Sequence, residues 1–394
     1  MTTCIEKALY DTEIETPCLI LDRERIKQNY KNFCRTMRGI NVFYAVKANP
    51  HPEVLKLLAI EGANFDCASF REIELALAAG CKPEKISFGS TLKKALDITN
   101  AYEAGISHFV FDAKEELHKI AKHAPTSKVT CRILVNSDGD GAQWPLSRKF
   151  GCDEAMAVEL MIEALELGLV PSGISFHVGS QQTETSAWDA PIKQVTTIFK
   201  RLAELGINLE EINLGGGFPT AFGDIKVPKT SDFTRVMKQS LKNYFGSDLP
   251  RVVVEPGRAL VGDAGIIVSE VVLVSKKSAT DTERWVYLDV GRFHGLAETE
   301  GEAIRYKLSV PSREGTPHSP AIIAGPTCDA VDTLYELNPV NMPIGLIAGD
   351  RVLVHDTGAY TATYSSVGFN GLGPLQVCLL DDLKKTKLKV LKAK

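Results

Sequence analysis

A lysine closes the apolar run Val42-Phe43-Tyr44-Ala45-Val46-Lys47, and Ala48-Asn49 and the turn Pro50-His51-Pro52 follow it. A charge in that position must reach solvent, pair, or give up its proton. It also has a covalent use, because an amine in a partly apolar setting can hold an aldehyde as a Schiff base. One lysine at the end of a strand does not choose among these, and reaching solvent is the ordinary use. Further along, other polar residues interrupt or end apolar runs: Asp66, Arg132, His177 with Ser180 beyond it, Gly215-Gly216-Gly217, and Glu255-Pro256-Gly257-Arg258. Each has a plain structural use of its own. Asp66 and Arg132 could form an ion pair, His177 could be a satisfied core histidine, and the glycines could be only a turn.

The elements that carry these residues alternate with regularity. Residues 42–47, 64–68, 85–89, 108–112, 128–134, 173–178, 211–214 and 251–255 read as strands. Helical periodicity fills the gaps, as at 53–61, 70–79, 93–104, 114–122, 154–167, 187–205 and 233–245. Eight βα units predict an α/β chain with a (β/α)8 TIM-like barrel over residues 23–262. A doubly wound open sheet is the alternative, but no Gly-x-Gly-x-x-Gly follows the first strand. After about residue 262 the long helices stop. Strand-like runs at 265–275, 285–289, 321–324, 350–355 and 376–380 predict a second, mostly antiparallel β domain built from 263–394. Residues 1–22 join it, because the run at 17–21 needs a pairing partner.

Chemistry in such a barrel sits at the C-terminal strand ends. Lys47, Asp66, Arg132, His177, the glycines and Glu255 all fall there. Glycines let the backbone approach a ligand, and successive N–H groups cradle an anion. After strand seven of a barrel, that anion is expected to be a phosphate. A lysine, a phosphate cradle completed by Arg258, and a strand-end carboxylate together point to pyridoxal 5'-phosphate. Lys47 would take the aldehyde, and Glu255 would face the ring nitrogen and keep it protonated.

Composition narrows the class. Of the residues, 44% are hydrophobic and 24% charged, as in ordinary globular proteins, and a net charge of -4 gives no reason to expect nucleic acid or a membrane surface. The nine cysteines are scattered without a Cys-x-x-Cys pair, and no basic-then-apolar leader is visible at 1–10. Reduced thiols and a cytoplasmic location are the expectation, with no metal. The basic stretch 384–394 reads as a solvated end.

From 16 to about 380 the chain resembles the fold-type III pyridoxal phosphate-dependent amino-acid decarboxylases, on their ornithine/lysine decarboxylase branch. The resemblance rests on Tyr44-Ala45-Val46-Lys47-Ala48-Asn49, Phe65-Asp66-Cys67-Ala68-Ser69, Ser175-Phe176-His177-Val178-Gly179-Ser180 and Gly215-Gly216-Gly217. Glu255-Pro256-Gly257-Arg258, Gly325-Pro326-Thr327-Cys328-Asp329, Gly358-Ala359-Tyr360 and Phe369-Asn370-Gly371 complete it. It implies that Lys47 anchors the cofactor, His177 stacks on its ring, and Glu255 pairs with its nitrogen. Asp66, Arg132 and Glu72 would support the surroundings. Ser180, Gly215, Gly216, Gly217, Gly257, Arg258 and Tyr360 would hold the phosphate. Cys328, Asp329 and Phe369 would bind substrate, Cys328 and Asp329 reaching the partner's site of a homodimer, and Lys149 and Asp332 would form a salt bridge between subunits.

The resemblance further implies decarboxylation of L-ornithine to putrescine and CO2, a step of polyamine biosynthesis. Cys328 would return a proton to the α-carbon, and Asp329 would receive the distal ammonium. Lysine, giving cadaverine, is the alternative, since one methylene discriminates by only ~1–3 kcal/mol. Diaminopimelate enzymes carry a different run where this chain has Asp329-Ala330-Val331-Asp332. The stretch 289–298 departs from the eukaryotic enzymes, leaving Glu298 or Glu302 as a second acid. Gly89-Ser90-Thr91 also departs, without evident consequence. A racemase with this architecture would carry an arginine at the ring nitrogen and a tyrosine base. A non-catalytic decarboxylase-like binder would lack cofactor-site residues that are present here.

Overall fold

The computed structural model describes residues 9, 13–135, 141–144, 149–223 and 225–383. Within these the chain forms two compact units. One holds Lys27–Pro219 and Val227–Leu260, and the other draws on Met1–Ile26, Thr220–Lys226 and Val261–Lys394.

In the first unit, Asn41–Ala45, Asn64–Cys67, Ile86–Phe88, His108–Phe111, Lys128–Arg132, Val170–Ser175, Glu211–Asn213 and Arg251–Val254 are parallel strands. They pair in sequence order, and the last returns to the first to close a barrel. Their apolar residues are sealed in, with Phe65, Phe88, Phe109 and Phe111 fully buried. Helices Pro52–Ile60, Phe70–Ala78, Ala95–Glu103, Lys114–His123, Glu154–Glu166, Asp189–Glu204 and Thr230–Phe245 follow the first seven strands. Asp189–Glu204 shows why such segments coil. It buries Ile192, Val195, Ile198 and Leu202, one stripe at helical spacing, each stabilising by about 1.5–3 kcal/mol before entropy is counted. Side chains set the helix starts: Ser69 Oγ accepts from Glu72 N at 3.2 Å, and Asp153 Oδ1 accepts from Met156 N at 2.8 Å.

The strands stop earlier than their apolar runs. The first ends at Ala45, and Lys47 lies in a 3₁₀ turn, Val46–Ala48. The last ladder bond there runs from Ala45 N to Pro256 O at 3.1 Å, after which Asn49 N turns back to Val46 O at 3.1 Å. Likewise His177 lies two residues beyond Val170–Ser175. That strand also begins before its expected start. It admits Pro171 where the register against Lys128–Arg132 shifts between Val129 and Thr130, a break that removes the need for one donor. Periodicity did not reveal the helix Arg23–Thr36, nor the antiparallel pair Ala142–Trp144 and Ser180–Gln182.

The N-terminal mouth of the barrel is charged, but its charges answer one another. Lys128 meets Glu210 at 3.3 Å, Arg251 meets Glu211 at 3.3 Å, and His108 Nε2 meets Thr130 Oγ1 at 2.8 Å. Those are the marks of a structural end.

The second unit is an eight-stranded sheet among the described residues. Its order is Leu308–Ser309, Arg351–His355, Gly265–Ser275, Arg284–Leu288, His318–Ala324, Val340–Pro343. Cys18–Leu21 pairs antiparallel with Gly265–Ser275 and parallel with Gln376–Leu379, so the N-terminal run finds the partner it requires. One other pairing, Arg284–Leu288 with His318–Ala324, is parallel. Leu9, Ile14, Cys18, Ile20, Val268, Leu353 and Leu380 form a core cluster here. Among the described residues no helix is long and apolar enough to cross a membrane.

Candidate active site

The C-terminal rim of the barrel gathers the polar residues that the sequence marked. Lys47 is exposed on its turn. Asp66, from the second strand, is buried, and its Oδ1 has no hydrogen-bond partner among the described residues. Burial pushes this carboxyl well above its usual range and Glu255 adds to the effect, while Lys47 and Arg132 pull the other way. Glu72 is raised by burial, against the opposing Ala68 N–H that it accepts at 2.6 Å and the charge of Lys47. Arg132 lies over the Phe150 ring at 5.3 Å. Burial lowers its pKa, and Glu255, Asp112 and Asp66 oppose that. Three acids, Asp66, Glu72 and Glu255, and two cations, Lys47 and Arg132, therefore act on one another across one rim.

His177 Nδ1 accepts from Gly179 N at 2.9 Å, which leaves the ring proton on Nε2. Burial, then Arg132 and Lys47, hold its pKa well below the ordinary value, so the ring is a neutral, flat surface near pH 7. A Cβ at Gly216 would stand 3.3 Å from His177 Nε2 and 2.5 Å from Glu255 O, so only glycine leaves this approach open.

The glycine turn is built from both sides. Gly215 and Gly217 have φ of +67° and +101°, which L side chains rarely adopt. Gly215 N donates to Asn213 Oδ1 at 2.9 Å, and Glu255 N donates to Gly215 O at 2.8 Å. Below, Trp188 Nε1 donates to Leu214 O at 3.0 Å and stacks on Phe218 at 5.3 Å, pinning the turn. The N–H groups of Gly216 and Gly217 make no hydrogen bond among the described residues. Buried Arg258 donates from Nη2 to Ser180 Oγ at 3.4 Å, and Gly257 is buried beside it.

Asn213 escaped sequence reasoning. Its Nδ2 donates to Glu255 Oε1 at 2.6 Å while its Oδ1 holds Gly215, so one amide ties the acid to the cradle. The available signal was a polar residue in an otherwise apolar strand. Gly89 has a consequence that its sequence does not suggest, because a Cβ there would collide with the Asp66 carboxylate. Its missing side chain is the space that Asp66 occupies.

The remaining marked residues lie in the second unit. Cys328 and Asp329 are exposed, and Asp329 Oδ1 accepts from Val331 N at 2.9 Å. Tyr360 takes a left-handed φ of 55°, a strained setting for a tyrosine, with its ring 6.0 Å from Tyr364. Phe369 packs on Phe293 at 5.0 Å. Asp332 is only 2% exposed. Its Oδ1 accepts from Arg292 N at 2.7 Å, and its Oδ2 accepts from Thr327 N at 3.1 Å and Thr327 Oγ1 at 2.7 Å. It organises its own loop. Glu302 is likewise engaged locally, accepting from Leu337 N, Asn338 N and Asn338 Nδ2 at 2.8, 3.0 and 2.9 Å. Glu298 is buried. Lys149, which belongs to the barrel unit, is exposed, with Nζ 5.1 Å from the Phe150 centroid.

The barrel rim fits a pyridine aldehyde phosphate. An amine acts electrostatically on a buried carboxyl with an orphaned oxygen, backbone donors line a turn too tight for any Cβ, and a carboxylate is fixed by an amide. Comparison with known proteins agrees. Residues 23–262 match the pyridoxal-binding domain of the pyridoxal-dependent decarboxylases. A lysine/ornithine decarboxylase of Selenomonas ruminantium is 31% identical over 94% of this chain and 91% of its own. Ornithine decarboxylase 2 of Drosophila melanogaster is 34% identical over 89% of this chain and 88% of its own. A crystal structure of SrLDC in complex with PLP and cadaverine superposes with a TM-score of 0.86 at 29% identity, covering 98% of this chain and 96% of that one. With the rim geometry and these matches in agreement, the chain belongs to the fold-type III pyridoxal phosphate-dependent amino-acid decarboxylases, in the ornithine/lysine decarboxylase family.

Proposed function

We propose that the protein decarboxylates L-ornithine to putrescine and CO2, as a cytoplasmic enzyme of polyamine biosynthesis, with L-lysine as the second substrate. The observation that carries the substrate class is Asp329, an exposed carboxylate adjacent to Cys328 in the chain, which suits the distal ammonium that ornithine and lysine share. The relatives that act on ornithine or on both amino acids support the same class. We assign residues 23–262 to the cofactor-binding domain, and 1–22 with 263–394 to the domain that completes the site.

In this reading Lys47 holds the aldehyde carbon. The Gly215–Gly217 amides, Ser180, Gly257, Arg258 and Tyr360 hold the phosphate. His177 offers its neutral face to the ring, and Glu255 faces the ring nitrogen. Asp66, Arg132 and Glu72 set the field around them. When bound, pyridoxal phosphate accepts the electron pair released as CO2 departs. The chain supplies orientation, since the substrate carboxylate must point into an apolar space that favours loss of its charge. Cys328 delivers a proton to the α-carbon, Asp329 fixes the distal ammonium, and Phe369 lines the substrate.

Comparing kcat/KM for L-ornithine, L-lysine, L-arginine and diaminopimelate tests the substrate. Ornithine should lead, with lysine about 10- to 200-fold behind. Diaminopimelate should be poorest, because its distal carboxylate would meet Asp329. Preference for diaminopimelate would refute the assignment.

We also propose a homodimer in which Cys328 and Asp329 serve the partner's barrel. The pairing of Lys149 with Asp332 of a second chain belongs to this proposal, and it requires Asp332 to share a carboxylate that already accepts three hydrogen bonds. Mixing inactive Lys47→Ala with impaired, misdirecting Cys328→Ala subunits should restore about a quarter of wild-type amine production, since random exchange makes half the dimers mixed, each with one complete site. Demonstrated exchange without recovery would exclude shared sites.

A further inference from the structure

We propose that Asn370 is a positioning residue that sets the Cys328 thiol for proton delivery. The proposal deepens the function above and rests on the role given there to Cys328. Cys328 N donates to Asn370 Oδ1 at 3.0 Å, and Asn370 Nδ2 donates to Cys328 Sγ at 3.3 Å. The orientation of the amide follows from chemistry. A backbone N–H can only donate, so the amide atom facing it is the oxygen, and the NH2 must then face sulfur.

The turn that carries Asn370 is anchored independently of the cysteine. Asn370 takes a left-handed φ of 51° between Gly368 and Gly371, at φ of 86° and 76°. Next to it, Phe369 packs on Phe293 at 5.0 Å, and Ser366 N donates to Phe293 O at 2.8 Å. On the other side of the cysteine, Asp332 holds Thr327 by its N–H and its hydroxyl. The thiol is therefore fixed between two anchored segments.

The amide favours delivery in two ways. Its NH2 donates to sulfur and does not accept, so it leaves the S–H proton to point elsewhere. On delivery the S–H bond breaks, a C–H bond forms at the substrate α-carbon, and the electron pair stays on sulfur. The Nδ2–H then becomes a charge-assisted donor to that sulfur, stronger than before transfer. An interaction that strengthens as the reaction proceeds accelerates it.

Asn370→Asp separates positioning from structure. The carboxylate keeps an acceptor for Cys328 N–H and tolerates the left-handed backbone, but it has no donor for sulfur. Asn370→Gly, which also tolerates that backbone, serves if the first variant does not fold. On the holoenzyme, the readout is the partition between amine product and the aldehyde released when substrate nitrogen stays on the cofactor and water supplies the carbonyl oxygen. Asn370→Asp should retain the cofactor absorbance and Tm, raise the aldehyde fraction about 10-fold, and slow amine formation about 10- to 100-fold. Adding it to Cys328→Ala should change the partition no further. Wild-type partition in Asn370→Asp, with Cys328→Ala misdirecting, would overturn the role of Asn370 alone, as would additivity in the double variant. Wild-type partition in Cys328→Ala would overturn the role of the cysteine and that of Asn370 with it.

Discussion

Replacing Lys47 with alanine is expected to abolish turnover while leaving the fold intact. In the proposed mechanism this amine holds the cofactor aldehyde, so the loss should exceed ~10³-fold in kcat. The structure separates this from a stability effect. Lys47 is exposed on a 3₁₀ turn, and the backbone bonds that shape the turn, Ala45 N to Pro256 O and Asn49 N to Val46 O, do not involve its side chain. The backbone of the turn should therefore survive the substitution, and any change in stability comes through the charges that Lys47 acts on, Asp66 and Glu72. The visible absorbance of the cofactor on the lysine should vanish while the variant still unfolds in one cooperative transition. A variant that keeps both the band and a tenth or more of wild-type kcat would remove Lys47 from the centre of the site. The charge change also has a direction. Lys47 pulls Asp66 and Glu72 down and pushes His177 down, so in the variant both carboxyls should titrate higher and His177 should regain some basicity.

What could be read in the sequence was what local chemistry states. A lysine ending an apolar run, three adjacent glycines and a strand-end glutamate announce themselves, because burying charge and omitting Cβ both carry a cost that chance does not repeat along one rim. The alternation of strand and helix was equally legible, because each segment buries its own face. The turn that carries Lys47 beyond its strand, and the early end of the strand before His177, were hidden, because apolar character continues past the last strand residue. Asn213 was hidden for a different reason. Its value lies in two partners, Gly215 next door and Glu255 on the neighbouring strand, and only the barrel register brings the second within reach. Gly89 looked idle because the atom it accommodates belongs to Asp66 on another strand. Sheet order in the second unit was illegible on the same ground: Cys18–Leu21 lies parallel to Gln376–Leu379, a pairing between distant parts of the chain fixed by a shared core. Asp332 is the instructive case: the resemblance implies an outward partner, and the three local donors from which its carboxylate also accepts could not be read from the sequence.

Glu255→Gln is expected to lower kcat by about 10²- to 10³-fold, the usual cost of removing one preorganised electrostatic partner. The variant is a narrow test because so much of the surroundings survives it. A glutamine oxygen still accepts from Asn213 Nδ2, the bond now at 2.6 Å, and the backbone bond from residue 255 N to Gly215 O is untouched. The glycine cradle should therefore keep its shape, and phosphate affinity should change little. What disappears is the negative charge that would keep the ring nitrogen protonated, and with it the strength of the ring as an electron sink. Because Glu255 raises Asp66, removing its charge should also let the Asp66 carboxyl titrate lower, and Arg132 should lose one of the charges that oppose its downward shift. Saturation with cofactor followed by kcat measurement separates the two effects: binding near wild type with chemistry slowed supports the ring-nitrogen role. A variant within about 3-fold of wild-type kcat would mean that Glu255 serves the barrel rim through Asn213 and not the reaction.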